Sequence, residues 1–476
     1  MPDRCLTNDR GKNGYDLAVI GAGSAGFSAA ITAAEQGANV ALIGHGLIGG
    51  TCVNVGCVPS KTMIRAAEAL HGARAAGRFP GLAGEANVVN WGRLIGAKDD
   101  LVTMLRQKKY IDLLPEYNGV AYLEGAARLN GRSVVVNGAA IAADKIIVAT
   151  GSTPGLPDIP GVADVPYLTS TSALELTDQP ASLMVIGGGY IGCELAQMFA
   201  RAGTKVTLIT RSRLLPEAEP EISKALTGYL AEEGITVLTG LSYRAIKADE
   251  NGVALAIECE GRPEMFAAQH VLLATGRRPN SVGLGLEEAE VMLSPNGNIV
   301  VDDRMRTSKA GVYAAGDVTG RDQFVYMAAY GAKLAALNAL NGDSLVYDNS
   351  AMPWVVFTDP QVAGVGLSET AARAAGLQTK TSVVTLDHVP RALAARDTRG
   401  LIKLVADAET DRLLGAQILA PEGADSIQTA VLAIKHGMTA KALGETIFPY
   451  LTTVEGLKLA AQGFGKDIAT LSCCAG

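Results

Sequence analysis

Two pairs of cysteines are the residues of this chain whose type and spacing could do chemistry. Cys52 and Cys57 lie in the glycine-rich stretch GGTCVNVGCVPSK, and Cys473 and Cys474 are adjacent in SCCAG at the end of the sequence. Seven cysteines among 476 residues do not make a disulfide framework. Paired cysteines outside such a framework are typical of redox catalysis or of metal binding. The two pairs therefore predict thiol chemistry and leave both kinds open.

The elements that must position the first pair belong to an internal repeat. Residues 16–44 and 182–210 each contain an apolar strand, a GxGxxG turn, an amphipathic helix and a second apolar strand. In this context the motif indicates dinucleotide binding, because glycines let the backbone approach a pyrophosphate at the helix N-terminus. The turn glycines are Gly21, Gly23 and Gly26 in the first copy and Gly187, Gly189 and Gly192 in the second.

The residue that ends the second strand of each repeat bears on which nucleotide is bound. An acid at this position accepts from an unmodified ribose 2′-hydroxyl. The second copy has Thr210 there, followed by Arg211 and Arg213, which favours the 2′-phosphate of NADPH over NADH; the alternative is that both arginines lie in a solvated loop. The first copy has Gly44, followed by His45, which is an anomaly for FAD. We expect the other FAD contacts to suffice there, with water or His45 as candidate substitutes.

Length and composition limit the class of protein. A chain of 476 residues predicts two to four domains. A net charge of −7 argues against a nucleic-acid partner. No apolar run approaches the roughly 18 to 20 residues that span a bilayer, and the first residues, MPDRCLTNDRGKNG, lack the apolar core of a secretory signal. The sequence therefore predicts a cytoplasmic protein, in which ordinary thiols stay reduced.

The motifs and their order resemble a known family. GxGxxG, GGTCVNVGCVPSK, the ATG segments KIIVATG and HVLLATGRRPN, and AAGD follow one another as in the pyridine nucleotide–disulfide oxidoreductases, flavoproteins that include glutathione reductase and dihydrolipoyl dehydrogenase. The resemblance implies an α/β chain, like glutathione reductase, with two Rossmann-like domains for FAD and NADPH and an α+β C-terminal dimerisation domain. The implied boundaries are a flexible tail at 1–14, an FAD domain at 15–155 and 280–345, an NADPH domain at 156–279, and a dimerisation domain at 346–476 that carries the Cys-Cys tail.

The same resemblance assigns roles to single residues. Cys57 would lie against the flavin and Cys52 would face the substrate, as a redox-active disulfide. Lys61 would pair with Glu194 near the flavin; the alternative is an ordinary solvated lysine. Asp317 would accept from a ribitol hydroxyl, and its alternative role is to cap the next helix. The further residues implied in cofactor binding are Gly50, Thr51, Lys61, Thr150, Gly151, Gly276 and Gly316.

The spacing of the first cysteine pair also makes a structural prediction. In an ideal helix, residues five apart point about 140° away from each other. A bridge between Cys52 and Cys57 therefore requires an irregular start to the helix, which Gly56 and Pro59 make credible. A disulfide at such a place would be reducible, and its thiolates would have lowered pKa values.

One segment departs from the disulfide reductases of the family. These enzymes place a histidine near the C-terminus, five residues before a glutamate, to protonate the leaving thiolate. In FPYLTTVEG, Glu455 is retained but Tyr450 stands at the histidine position. A tyrosine, with a pKa of about 10, is a poor acid–base partner for a thiolate at neutral pH. The machinery for disulfide exchange therefore lacks one part.

This segment, the SCCAG tail and Tyr167 are together similar to the branch of the family that reduces mercuric ion. Thiolates select soft cations. The resemblance implies that Hg(II) arrives as a thiol complex and is captured by Cys473 and Cys474 of one subunit. It would then pass to Cys52 and Cys57 of the other subunit, in a homodimer with shared active sites. Tyr167 and Tyr450 would help to position the metal.

Two alternatives stay open from the sequence. One is a thiol–disulfide reductase like dihydrolipoyl dehydrogenase, which turnover of lipoamide or oxidised glutathione would favour. The other is a non-catalytic, soft-metal-binding protein on a flavoprotein scaffold, which a colourless purified protein would favour. Mercuric-ion reductases often carry an N-terminal metal-binding domain, whereas this sequence has a short stretch with the single Cys5. We therefore expect it to take Hg(II) from small thiols or a partner.

Overall fold

The computed structural model describes residues 14–131, 133–250 and 252–468. Cys473 and Cys474, and residues 1–13 of the predicted tail, lie outside this range. The described part forms 21 strands and 13 α-helices. The strands are β1 Tyr15–Ile20, β2 Val40–Gly44, β3 Val120–Glu124, β4 Ala127–Asn130, β5 Ser133–Val136, β6 Ala139–Val148, β7 Ser152–Pro154, β8 Ser182–Ile186, β9 Lys205–Ile209, β10 Thr236–Leu238, β11 Ser242–Asp249, β12 Gly252–Cys259, β13 Arg262–Ala268, β14 His270–Leu273, β15 Arg277–Pro279, β16 Val312–Ala314, β17 Pro353–Val356, β18 Gln361–Gly366, β19 Thr379–Thr385, β20 Leu401–Asp407 and β21 Leu413–Ala420.

The helices are interspersed with strands along the chain, and several of the connections contain 3₁₀ turns. The α-helices are α1 Ser24–Glu35, α2 Gly50–Asn54, α3 Cys57–Arg74, α4 Trp91–Arg106, α5 Ser170–Ala173, α6 Tyr190–Ala202, α7 Pro220–Glu232, α8 Val325–Asn341, α9 Glu369–Ala374, α10 Pro390–Ala395, α11 Gly423–Lys435, α12 Ala440–Glu445 and α13 Glu455–Gln462. None of the helices in the described ranges combines the length and the apolar character that a membrane crossing requires.

The chain divides into two compact units. The first consists of the described parts of Met1–Ser60, Gly92–Gly155 and Gly276–Asp348. Its seven-stranded sheet has the order β3-β2-β1-β6-β5-β4, with β16 also paired to β6. Strands β3, β2, β1, β6 and β16 are parallel, whereas β4 and β5 pair antiparallel. The inner strands are almost continuously apolar and buried, as parallel strands covered on both faces must be.

The second unit consists of the described parts of Lys61–Trp91, Leu156–Thr275 and Asn349–Gly476. It contains a parallel sheet of order β10-β9-β8-β14, an antiparallel sheet β11-β12-β13, and a five-stranded antiparallel sheet β17-β18-β21-β20-β19. Helices α11 and α13 pack their apolar faces into the core of the five-stranded sheet. The α/β class with two strand–turn–helix–strand repeats and a C-terminal α+β region is confirmed. The exact domain boundaries stay a prediction.

Candidate active site

The first glycine turn is shaped to receive a pyrophosphate. Gly21 follows β1 with φ +120°, and a Cβ there would lie 2.2 Å from the carbonyl oxygen of Ala149. A Cβ on Gly26 would lie 1.7 Å from the carbonyl oxygen of Gly21, so only glycine lets α1 start this close to the strand. Gly23 occupies the N-cap position of α1, and the first amides of that helix can point at an anion. These residues fit the pyrophosphate of FAD.

The second glycine turn repeats this geometry within the second unit. Gly187 also has φ +120°, and its Cβ would lie 2.2 Å from the carbonyl oxygen of Ala274. A Cβ on Gly192 would lie 1.8 Å from the carbonyl oxygen of Gly187, and Gly189 has open space at its Cβ position. The same sequence pattern has therefore produced the same strand–turn–helix geometry twice.

The loop after β9 places the two predicted arginines differently. Arg211 and Arg213 are both exposed. Arg213 donates from Nη2 to the carbonyl oxygens of Pro216 and Ala218, both at 2.7 Å, and so stabilises its own loop. Arg211 makes no ion pair within the described residues. Of the two, Arg211 has the guanidinium more available for a ligand phosphate.

The cysteine pair lies beside the first glycine turn. The amide of Gly49 donates to the carbonyl oxygen of Ala22 at 2.8 Å, and a Cβ on Gly50 would lie 2.6 Å from the Cα of Gly23. These contacts fix the start of the cysteine segment against the turn. Both cysteines are half-buried.

The predicted irregular start of the cysteine helix is confirmed. Cys52 lies in α2, which ends at Asn54, and Cys57 is the first residue of α3. Gly56 lies between the two helices, and a Cβ there would be 3.0 Å from the carbonyl oxygen of Thr51 and 3.4 Å from the Cα of Cys52. The break and the glycine together allow the chain to fold back on itself, which one continuous helix would not permit.

A polar cluster surrounds Asp317 in the first unit. Ser152 donates its hydroxyl to Asp317 Oδ2 at 2.6 Å, and Arg277 donates from Nε to Ser152 Oγ at 2.7 Å and lies 3.6 Å from the carboxylate. Burial lowers the pKa of Arg277, while negative charge at Asp317 and Cys57 opposes that shift. Asp317 is also the first residue of a 3₁₀ turn that ends at Thr319. Its carboxylate is thus held in place, with part of its surface open.

The predicted residues Thr150 and Gly151 are connected to the same region. The Thr150 hydroxyl donates to the carbonyl oxygen of Asn280 at 2.7 Å, and the Asn280 side chain donates back to the carbonyl oxygen of Thr150 at 2.9 Å. Gly155 and Gly276 are joined through a backbone hydrogen bond of 2.9 Å. The two ATG segments are therefore linked where the chain leaves the first unit and returns to it.

Lys61 and Glu194 form an ion pair within the second unit. Lys61 Nζ lies 2.7 Å from Glu194 Oε2, and the other carboxylate oxygen accepts from the amide of Phe357 at 2.9 Å. Glu194 is 5% exposed and Lys61 is 32% exposed. The lysine ammonium also lies 4.9 Å from the centre of the Phe357 ring, within cation–π range. The carboxylate thus has a fixed partner on each oxygen.

The predicted residues Tyr167, Tyr450 and Glu455 also lie in the second unit. Tyr167 precedes α5 and is 36% exposed, and Tyr450 is 56% exposed. Glu455 is buried at the start of α13 and accepts from the amide of Leu451 at 3.3 Å. Leu451 has φ +62°, so this hydrogen bond holds an unusual turn next to Tyr450. Cys473 and Cys474 lie outside the described residues.

Sequence reasoning missed several residues near these groups. Tyr110 contacts Gly49, shares a hydrogen bond of 3.3 Å with the hydroxyl of Ser24, and packs edge-on against Phe27. Burial raises the pKa of Tyr110, the hydrogen bond to Ser24 opposes this, and negative charge at the two cysteines adds to it. Its segment carries no motif, so only its position in the fold identifies it. Arg277 could have been suspected from the RRP that follows the second ATG segment.

The two thiols of the first pair are a small ligand set. Within the ranges that the structure describes, no group of three or more His, Cys, Asp or Glu side chains is placed to hold a metal ion. Within these ranges Cys52 and Cys57 are thus two sulfur atoms outside any cluster of three or four metal ligands.

The fold and the site define the class of protein. Two dinucleotide-binding units and a cysteine pair beside the first glycine turn are the parts of a flavin- and nicotinamide-dependent dithiol oxidoreductase. Residues 15–335 match the pyridine nucleotide-disulphide oxidoreductase family, and residues 352–461 match the dimerisation domain of that family. The chain belongs to this family. FAD and a pyridine nucleotide are its cofactors, and the dimerisation domain supports a homodimer.

Individual relatives narrow the comparison within the family. The mercuric reductase of Bacillus cereus is 47% identical over 98% of this chain and 74% of its own length. That of Streptomyces lividans is 47% identical over 97% of this chain and 99% of its own. Among solved structures, the Cu(II) complex of the HOCl-induced flavoprotein disulfide reductase RclA of Escherichia coli has a TM-score of 0.83. It is 30% identical and covers 94% of this chain and 99% of its own.

Proposed function

We propose that this chain is an NADPH-dependent flavoenzyme that reduces Hg(II) to volatile Hg(0). The observation that carries the proposal is the identity of 46–47%, over 97–98% of the chain, to proteins named mercuric reductase. The cysteine pair supports it, because two half-buried thiols at a broken helix start suit both redox cycling and the ligation of a soft cation.

The pyridine nucleotide is proposed to be NADPH. The end of β9 offers no carboxylate to a ribose hydroxyl, since the next residue is Thr210, and the guanidinium of Arg211 is exposed. An arginine pairs well with a 2′-phosphate. Replacing Arg211 by alanine should raise the KM for NADPH at least tenfold and leave the KM for NADH within twofold. An equal effect on both nucleotides would contradict this assignment.

FAD, when bound, supplies the route for electrons between the nicotinamide and the sulfur pair. The backbone amides after Gly21 and Gly187 would hold the pyrophosphates of FAD and of the pyridine nucleotide, and Glu194 holds Lys61 one turn after Cys57 on α3. Hg(II) arrives with two thiol ligands and is taken by Cys473 and Cys474, then by Cys52 and Cys57 of the other subunit. At each exchange one Hg–S bond forms as another breaks.

The electron balance is simple. NADPH gives up a hydride, two electrons reach Hg(II), and the products are NADP⁺, one proton and Hg(0). Because the product leaves as a neutral atom, no acid has to protonate a leaving thiolate at that step. Tyr450 can therefore stand where a disulfide reductase needs a histidine. Tyr167 and Tyr450 are proposed to position the metal.

The test is NADPH oxidation by the purified chain with Hg(II) and excess thiol, measured together with the loss of volatile mercury. We expect one Hg(0) per NADPH. Cys52→Ala should abolish turnover, and Cys473→Ser/Cys474→Ser should lower it strongly with thiol-bound Hg(II). The control is Cys259→Ser, which changes a free, half-buried thiol at the end of β12 and should leave turnover unchanged.

Two results would refute the proposal. One is turnover of lipoamide or oxidised glutathione comparable to that of Hg(II), which would favour a disulfide reductase. The other is a colourless protein that binds no flavin, which would favour a non-catalytic metal-binding protein. Mixed dimers of Cys52→Ala and Cys474→Ala chains test the sharing of sites, because only heterodimers should regain activity.

A further inference from the structure

The end of β2 lacks the side chain that dinucleotide-binding units normally use to grip a ribose. That position, Gly44, is the last residue of the strand, and an acid there would accept from a ribose hydroxyl. The space that such a side chain would occupy is already filled. A Cβ built on Gly44 would lie 2.6 Å from Tyr122 Oη and 2.9 Å from Tyr122 Cε2. The distance from the phenol oxygen to this Cβ position is thus roughly the two-bond distance that separates a short carboxylate's oxygens from its own Cβ.

The neighbouring strand brings Tyr122 to this place. β3 runs parallel to β2 at the edge of the sheet, with Leu42 opposite Tyr122 and Gly44 opposite Glu124. Alternate residues of a strand share a face, so Leu42, Gly44 and Tyr122 belong to one face of the sheet. Leu42 on that face approaches Gly26 of the glycine turn, with Cδ1 3.5 Å from its Cβ position. The phenol therefore lies on the face of the sheet that α1 covers and next to the carboxyl end of β2, and dinucleotides bind outside the carboxyl ends of such strands.

The hydroxyl of Tyr122 has no other structural task within the described part of the chain, where it makes no hydrogen bond to protein. Its residue is half-buried. Burial, and then the negative charge of Glu124, raise the pKa of Tyr122, so the phenol stays protonated at neutral pH. A protonated phenol can both donate to and accept from a hydroxyl group.

We propose that Tyr122 replaces the missing carboxylate, and that its Oη hydrogen-bonds a ribose hydroxyl of the adenosine half of FAD. The ribose contact has thus moved from the end of β2 to the side chain of the adjacent strand. The inference rests on FAD binding at the first glycine turn and is independent of Hg(II). It explains why a glycine at residue 44 is compatible with a flavoprotein, because a larger residue would collide with the tyrosine that binds the ribose in place of a carboxylate.

The first experiment measures FAD affinity directly. The full chain is stripped of flavin, and rebinding is followed by the quenching of flavin fluorescence. Tyr122→Phe removes only the hydroxyl and should weaken FAD binding about 3- to 10-fold, the loss of one hydrogen bond. The affinity for FMN, which lacks the adenosine half, should stay within twofold. The control is Tyr117→Phe, which changes a half-buried tyrosine three residues before the start of β3. It should leave both affinities unchanged.

A second experiment tests the shared space. Gly44→Glu alone should weaken FAD binding more than tenfold, because its Cβ meets both Tyr122 and Ala22. Gly44→Glu/Tyr122→Val removes the collision with Tyr122, keeps the close approach to Ala22, and restores a carboxylate, so it should bind FAD more tightly than either single variant. Such non-additivity is expected of residues in direct contact and not of distant, independent ones. Should the single variant fail to fold, the double variant still reports on the idea.

Three results would overturn the proposal. They are FAD affinity unchanged in Tyr122→Phe, equal losses for FAD and FMN in that variant, or a Gly44→Glu chain that binds FAD more tightly with Tyr122 in place. If Glu124→Gln weakens FAD binding while Tyr122→Phe does not, the acid of the neighbouring strand holds the ribose and the proposal is wrong. A parent chain that binds no flavin would instead refute the assignment of the first glycine turn.

Discussion

We expect Lys61→Met and Glu194→Gln to lower the free energy of unfolding by unequal amounts, although both changes break the same ion pair. The carboxylate is almost completely buried, whereas a third of the lysine side chain is exposed. In Glu194→Gln the ammonium can turn into water, and the amide oxygen can still accept from the amide of Phe357. In Lys61→Met the carboxylate stays in place and keeps only that one partner.

The magnitudes follow from this asymmetry. Glu194→Gln loses one charge-assisted hydrogen bond, discounted for the exposure of the lysine, and should cost about 1–2 kcal/mol. Lys61→Met leaves a buried charge without its counter-ion, and should cost about 2–4 kcal/mol. The double variant leaves no buried charge without a counter-ion, so it should be destabilised by no more than about 1–2 kcal/mol.

The assay is urea unfolding of the flavin-loaded full chain, followed by circular dichroism. The matched control is Glu68→Gln, which breaks the pair with Arg65 on the same helix. Arg65 is 63% exposed, so that loss should stay below about 0.5 kcal/mol. A larger cost for Glu194→Gln than for Lys61→Met would refute the reasoning, as would strictly additive costs in the double variant.

Three further outcomes are expected. Lys403 is 3% exposed and lies 2.9–3.0 Å from three carboxylates, so Lys403→Met should lower the free energy of unfolding by about 3–5 kcal/mol. The control Lys441→Met, at a side chain that is 78% exposed, should change it by less than about 0.5 kcal/mol. Equal effects of the two substitutions would contradict the burial argument. The pKa of His71 is lowered from 6.5, first by burial and then by the positive charge of Arg201. The charge of Arg399 also lowers this pKa, whereas the carboxylates of Glu233 and Asp359 raise it. Its stabilising contribution is therefore complete above pH 6.5 and lost as pH falls through the lower folded pKa, so His71→Asn should flatten the decline of Tm below pH 6.5, and parallel Tm curves would disprove this. Gly56→Val must displace Thr51 or Cys52 and should reduce the fraction of the pair that closes to a disulfide, counted by thiol titration; Gly72→Val, at a position of α3 with open space, should not.

Close contacts between backbone segments could be predicted from the sequence where a glycine motif requires them. The three turn glycines of each repeat admit almost no other residue, since a Cβ at Gly26 or Gly192 would overlap a carbonyl oxygen of the preceding turn. A motif of this kind fixes a local backbone path, and the same path follows wherever the motif stands between a strand and a helix. This is why the class of fold and both dinucleotide-binding units were predicted correctly.

Contacts between distant segments were harder to predict. Ser152 and Arg277 are 125 residues apart and share Asp317, yet neither lies in a motif that names the other. Tyr110 and Ser24 meet across 86 residues, and nothing in the sequence around Tyr110 indicates it. Such pairs depend on how strands are ordered in a sheet, which local patterns do not contain.

Gly44 is a position where the sequence determined one part of the answer and the tertiary structure the other. The sequence by itself determined that an acid was missing at the end of β2, because the repeat defines that position in each copy. It also determined the cysteine spacing, the absence of an acid in the second repeat, and Tyr450 in the place of a histidine. Only the tertiary structure decided what fills the gap at residue 44. The pairing of β3 beside β2 brings Tyr122 there, and strand order arises from packing across the whole sheet rather than from neighbouring residues.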